Sequence, residues 1–374
     1  MKVLVNALSA KKGGIVTYTK NLLTSLDEAG IDATVAVPPE FVHPLEQRLM
    51  KIDTSGFSPG RRFLWEQIAW RSIVKRHAPD ILFSSANFGL LNSPAKQVLL
   101  LREGGLFDPS YLANMAPTQG VYNSLNRSIR RRLMLASALR SDQIITPTET
   151  MRDLVGLWLP KAKEKCVVNP YGTLNEAFAP TSDRRQWAED GTIRLLYVSV
   201  YYPHKVPYQV CEAIDRINRE GLKATGTITM TLKEMSEMSG GSLDLEVVAD
   251  AERRGIVTLG HHEYGDLPKL YRSHDVFVFP SVSETFGHPM AEAMSSGLPV
   301  IVADTQVNRE ICGDAALYAR PYSVEDIARQ VNRLHGDLTL RLELSARARE
   351  RTLNRYGWQD HIDRLLAAFN EITA

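Results

Sequence analysis

The stretch that decides the fold is VFVFPSVSETFGHPMAEAMSSGLPVIVAD, Val276–Asp304. It opens on four consecutive apolar residues, the mark of a strand buried on both faces in a parallel sheet. A loop through Ser283 to Gly287 follows, and Gly287 lets the backbone come close to a ligand. Pro289 suits a first helical turn, where a missing N–H costs nothing, so the pattern predicts a helix over Pro289–Ser296 stopped by Gly297. A second buried strand, LPVIVA, comes directly after. Strand, loop, helix, strand is the unit of an open α/β sheet, whose ligands sit in the crevice outside the strand carboxyl ends.

Working outward, strand-like and helix-like runs alternate along almost all 374 residues. The first series contains KVLVNAL, ATVAVP, DILFSS, KQVLLL and QIITPT; the second contains IRLLYVSV, TGTITMT, GIVTLG, DVFVFP and LPVIVA. Two such series predict an α/β protein of two Rossmann-like domains. Pro, Gly, Asn and Ser accumulate between Asn169 and Asp183, placing the boundary there. The expected division is 1–178, 179–355 and a terminal helix over 356–374, whose Trp358, Ile362, Leu365, Leu366 and Phe369 share one face.

Net charge is +1, but residues 1–180 carry 22 Lys/Arg against 15 Asp/Glu, a local excess of +7. The basic first half has no nucleic-acid-binding motif, and nucleic acid is not an expected partner. Its segments RRFLWEQIAWRSIVKR and RSIRRRLMLASALR interleave Arg and Lys with apolar residues at helical spacing. They read either as core helices with solvated arginines or as surfaces for an anionic membrane. Cys166, Cys211 and Cys312 are widely spaced and odd in number, so no disulfide framework or zinc site is expected, and a cytoplasmic protein is. No apolar run reaches the roughly 18 residues of a membrane span. There is no metal-ligand spacing, and no cofactor is expected.

Two readings of Glu284 and Glu292 compete. In one, Glu284 caps the helix and Glu292 is a solvated helix residue. In the other, the helix entrance receives phosphate while each carboxylate accepts hydrogen bonds from sugar hydroxyls on either side of a diphosphate.

The whole quoted stretch closely resembles the donor-binding signature of the retaining glycosyltransferases of family 4, which share the two-domain GT-B fold. The resemblance covers nearly the whole chain. KKGGIVTYTKNLLTSLDEAGIDATVAV is similar to the family's glycine loop and first helix, which implies close approach of donor phosphate or acceptor at Gly13 and Gly14. GIVTLGHHEYGDLPKLYRSHDVFVFPS implies base recognition by backbone near Gly260 and His261. GWQDHIDRLLAAF is similar to the tail helix that crosses back onto the first domain, the donor cleft lying between the two domains.

RLLYVSVYYPHKVPYQVCEAI matches the family's second phosphate-binding segment, with Lys205 as its lysine; read alone, that lysine is a solvated one. Many members carry an Arg five positions earlier, where this chain has Val200. The adjacent His204 fits a branch with an HK pair, typical of cell-surface polysaccharide assembly, and supplies part of the second positive charge if protonated. Many relatives also place a His after the strand VLLL; this chain has Arg102 and Glu103 there. Glu103 is expected either to act on the donor or acceptor sugar or to pair with Arg102.

The resemblance implies transfer of a hexose or deoxyhexose, mannose or rhamnose, from a nucleoside diphosphate sugar to a saccharide or lipid-linked saccharide, with retention and without metal. Glu284, Lys205 and His204 are the expected catalytic groups. The backbone of Phe286, Gly287 and His288, together with Glu292, is expected to hold the donor. Two alternatives stay open: an epimerase or hydrolase of nucleotide sugars, and a non-catalytic partner that keeps the fold.

Overall fold

The computed structural model describes residues 1–11, 14–115, 117–181 and 185–373. They form two compact units. Unit 1 comprises Met1–Phe107, Leu125–Pro170 and Gln359–Ala374; unit 2 comprises Asp108–Ser124 and Tyr171–Trp358.

Unit 1 is built on seven strands: β1 (Lys2–Asn6), β2 (Asp32–Val37), β3 (Leu49–Lys51), β4 (Ile81–Ser84), β5 (Lys96–Leu100), β6 (Gln143–Thr146) and β7 (Cys166–Val168). Their order is β3-β2-β1-β4-β5-β6-β7, and every neighbouring pair is parallel. Successive side chains on a strand face opposite sides of the sheet. Accordingly Leu82 joins Leu4, Trp70 and Val74 in one buried cluster, while Phe83 meets the edge of the Phe369 ring at 5.5 Å.

Phe369 lies on the C-terminal helix Trp358–Thr373, which buries His361, Ile362, Leu365, Ala368 and Phe369. A polar seam fixes its register. Tyr18 and the His361 ring lie 3.2 Å apart at the hydroxyl and Nε2, His361 Nδ1 is 2.9 Å from the Pro170 carbonyl, and Asn169 Nδ2 donates to the His361 carbonyl at 3.0 Å. Burial drives the His361 imidazole down to about 4, so it is neutral; one ring nitrogen donates to Pro170 and the other accepts from Tyr18.

Unit 2 has six strands: β8 (Ile193–Tyr197), β9 (Ala224–Ile228), β10 (Val257–Leu259), β11 (Val276–Phe279), β12 (Val300–Ala303) and β13 (Leu317–Ala319). They run parallel in the order β10-β9-β8-β11-β12-β13. The helix Tyr208–Arg219 buries Val210, Ala213, Ile214 and Ile217, the i, i+3, i+4, i+7 stripe that a sheet-covering helix needs. Gly226 on β9 makes room for it, since a Cβ there would lie 2.6 Å from Ile214 Cδ1.

The segment Asp108–Ser124, although it comes from the first half of the chain, groups with unit 2. The Tyr111 ring stands edge-on to His204 at 5.7 Å, and Thr118 and Gln119 lie over Gly240, where a Cβ would meet Thr118 Oγ1 at 3.1 Å. Among the described residues no helix is long and apolar enough to cross a membrane.

Candidate active site

In unit 2 the strand order reverses direction at β8, which pairs with β9 on one side and β11 on the other. The loops leaving the carboxyl ends of β8 and β11 therefore diverge, and the crevice between them is where an open α/β sheet takes its ligand. One loop carries His204 and Lys205; the other carries Glu284, Phe286 and Gly287. Topology alone thus joins residues that lie 79 positions apart.

The join is direct: Lys205 Nζ donates to Glu284 Oε1 in an ion pair whose side chains are about nine-tenths buried. The lysine is not the solvated residue that its sequence read alone suggests. Its ammonium lies 5.3 Å from the centre of the Phe279 ring, and Tyr197 OH donates to its carbonyl at 2.7 Å. The two loops are also tied through backbone, with Val282 N donating to the His204 carbonyl at 3.0 Å.

Glu284 does not cap the helix, which runs His288–Ser295 from Gly287 with no side-chain cap. Gly287 is left-handed, at φ +79°, the backbone conformation that calls for glycine. The other end is closed by Gly297 at φ +67°, with Leu298 N donating to the Ala293 carbonyl at 3.1 Å. Arg349 Nη1 donates to the Ser295 carbonyl at 2.8 Å, a cation at the negative end of the helix dipole. Phe286 is buried and packs between Tyr171 and Tyr356, holding the helix entrance in place.

Glu292 is likewise not solvated: it is 5% exposed and accepts a hydrogen bond from Tyr271 OH at 2.9 Å. Burial pushes its carboxyl up to about 7, while hydroxyls from Tyr271 and Tyr264 pull in the other direction without overcoming it. The structure already uses Glu292 as an acceptor of hydroxyl protons.

His204 needs a correction. Its ring stacks on Tyr202 at 5.7 Å and 12°, and Tyr111 closes the edge. Burial and then the neighbouring Lys205 charge hold its pKa well below the ordinary value, so the imidazole is neutral and does not supply a second positive charge. Val200, where many relatives have arginine, is exposed.

Gly260 follows β10 with φ +152°, and the exposed His261 ring lies 3.5 Å from Glu234. Arg102, Glu103 and Gly14 belong to unit 1, and Gly13 lies outside the described residues. Glu103 is paired not with Arg102 but with Arg130, at 2.6 Å, and Asn87 Nδ2 donates to the same oxygen at 3.4 Å. Gly14 begins the helix Gly14–Glu28, and a Cβ on it would meet nothing within 4 Å. Sequence reasoning missed Tyr264 and Tyr271, which carry no motif. Among the described residues no group of three or more His, Cys, Asp or Glu could hold a metal ion.

Residues 12–173 match the family model Glycosyltransferase Family 4, and residues 180–351 match Glycosyl transferases group 1. The O-antigen chain mannosyltransferase RfbU of Salmonella typhimurium is 23% identical over 330 residues, covering 86% of this chain and 87% of the relative. O-antigen chain mannosyltransferase B of Escherichia coli is 39% identical over 87 residues, and this chain spans only 23% of its length. The Anabaena protein HepE, solved with UDP and glucose, superposes with a TM-score of 0.76 at 16% identity, covering 99% of this chain and all of that one. The two-unit architecture is the GT-B fold.

Proposed function

We propose that this chain, which belongs to the family 4 glycosyltransferases, moves mannose or another hexose or deoxyhexose from a nucleoside diphosphate sugar to a saccharide or lipid-linked saccharide hydroxyl, with retention. The observation that carries the proposal is the buried Lys205–Glu284 pair at the unit 2 switch point, beside the uncapped entrance of the helix His288–Ser295. An ammonium and a carboxylate facing each other in a low-dielectric crevice are exchangeable partners for a diphosphate and a sugar. When the donor enters, the diphosphate takes the ammonium and the helix N–H groups, and Glu284 turns to a sugar hydroxyl. Glu292, already accepting from two tyrosyl hydroxyls, receives those of the ribose.

The chemical step follows from these groups. The acceptor oxygen bonds to the anomeric carbon on the face from which the phosphate departs. The electron pair of the breaking carbon–oxygen bond goes to the phosphate, which also takes the acceptor proton. Lys205 meets the charge growing on that phosphate, a contribution larger in the transition state than in the ground state. The mannosyltransferase relatives favour mannose first.

A lipid-linked acceptor would lie at a membrane surface. The helix Val121–Arg140 leaves Val121, Tyr122 and Leu125 exposed at 88%, 77% and 60%, on the same helix as Arg127 and Arg132. Basic residues beside exposed apolar ones suit anionic lipid headgroups. Sedimentation with phosphatidylglycerol vesicles, lost at high salt and absent with phosphatidylcholine, is the expected result.

The test of the central reading is a thermal-shift panel of GDP, UDP, ADP and dTDP and their sugars, since a ligand at about 100 times its Kd adds about 2.7 kcal/mol to stability. One nucleotide series should stand out. Glu284→Gln should keep that binding and lose transfer by about a hundredfold or more. Near-normal transfer by the folded variant would refute the role given to Glu284.

A further inference from the structure

We infer that Asp244 is a positioning residue for Lys205, a reading that rests on the role proposed for that lysine. Asp244 lies in the first turn of the helix Ser242–Arg253 and is 4% exposed. No Lys or Arg pairs with it among the described residues. Its Oδ2 accepts from Tyr201 OH at 2.8 Å, and its Oδ1 accepts from the backbone N–H of Tyr208 at 3.3 Å. Tyr201 and Tyr208 flank the turn Pro203–Lys205, so one carboxylate holds both ends of the segment that presents the ammonium.

Three further features show that this segment must be held. Val206, directly after Lys205, is left-handed at φ +42°, a conformation that a β-branched residue adopts only when its surroundings impose it. The helix Tyr208–Arg219 starts from Pro207, which has no side chain able to cap it, and Asp244 supplies an acceptor from a different helix. Gly241, just before the helix that carries Asp244, admits no side chain: a Cβ there would lie 2.4 Å from the Met235 carbonyl oxygen and 2.8 Å from Tyr201 OH. Burying an acid without a cation is costly, and burial raises its carboxyl to about 6. The return is a loop fixed tightly enough to keep Lys205 against Glu284.

The test uses the full chain. Asp244→Ala should accelerate hydrogen exchange in the amides of residues 198–208 by about tenfold or more, without ligand. With whichever of GDP-mannose, dTDP-rhamnose or UDP-glucose gives the largest thermal shift, its kcat should fall about tenfold to a hundredfold, with donor KM changed by less than about threefold. Asp244→Asn, whose amide oxygen can accept from the Tyr208 N–H while its amide nitrogen donates to the Tyr201 hydroxyl, should recover kcat to within about threefold of the native protein. If Asp244→Ala does not fold, Tyr201→Phe removes one tether and should show the same loop exchange at smaller amplitude.

Unchanged loop protection, or a folded Asp244→Ala protein with native kcat, would overturn the inference. Lys205→Ala separates the two levels of argument. If Lys205→Ala abolishes turnover and Asp244→Ala does not, only the tether fails; if Lys205→Ala turns over normally, the site reading itself fails.

Discussion

Replacing Glu292 by Gln should remove a specific pH dependence from the stability of unit 2. The folded carboxyl sits at about 7 because burial disfavours its charge, against an ordinary 4.5. Between those values the folded state binds the proton more tightly than the unfolded chain, so stability falls as pH rises from 4.5 through 7. The contribution is fully present below 4.5 and gone above about 7. Proton linkage across this window makes the protein about 2–3 kcal/mol more stable at pH 5 than at pH 8 from this residue alone. Gln keeps the volume and an oxygen for Tyr271, and it does not titrate. Urea denaturation at pH 5, 6.5 and 8, read by hydrogen exchange in peptides of the helix His288–Ser295, should give a native curve steeper than that of Glu292→Gln by that amount. The variant should be the more stable protein at pH 8. Parallel curves for the two proteins would refute the claim that burial raises this carboxyl.

Unit 1 should show the opposite trend. His361 is held at about 4 instead of 6.5, so the unfolded chain binds the extra proton and stability falls as pH drops from 6.5 through 4, by about 2 kcal/mol between pH 8 and 5; His361→Gln should flatten that slope in C-terminal helix exchange. Calorimetry of nucleoside diphosphate binding at pH 6.5 in buffers of different ionisation enthalpy should reveal proton release, since ribose hydroxyls that donate to Glu292 favour its charged form; no buffer dependence would exclude that contact. Arg349→Met should cost about 1–3 kcal/mol in urea, because the Ser295 and Asn175 carbonyls that accept from its guanidinium lose their donor. Gly287→Ala should cost at least about 1–2 kcal/mol and weaken nucleotide binding, and an unchanged urea midpoint would count against the left-handed entrance.

Much of this arrangement is legible in the residues themselves. Runs such as DVFVFP and KQVLLL are buried on both faces and announce β11 and β5 directly. The strands that escape sequence reading are β3, β7 and β13, each three residues long; β3 and β7 lie at the edges of their sheet and are only half-buried, too short and too mixed for a period to register. Glu284 and Lys205 are legible as a motif, but their mutual pairing is a product of strand order, which no local pattern encodes. Tyr264, Tyr271 and Asp244 are ordinary residues in ordinary helices and turns. Their importance comes from what lies beside them, and the same is true of His204, whose charge state is set by the rings packed around it.

The grouping of Asp108–Ser124 with unit 2, and of the C-terminal helix with unit 1, bears on how this protein can be taken apart. The backbone passes from one unit to the other four times, so neither unit is a continuous piece of the gene. A cut in the apparent linker after Pro170 would give an amino-terminal fragment without the partner of Phe83, and a carboxyl-terminal fragment without the tyrosine that edges His204. Each fragment would expose what its missing piece covers. An independently folding unit 2 would need Asp108–Ser124 grafted onto Tyr171–Trp358, a rearrangement of chain order and not a truncation.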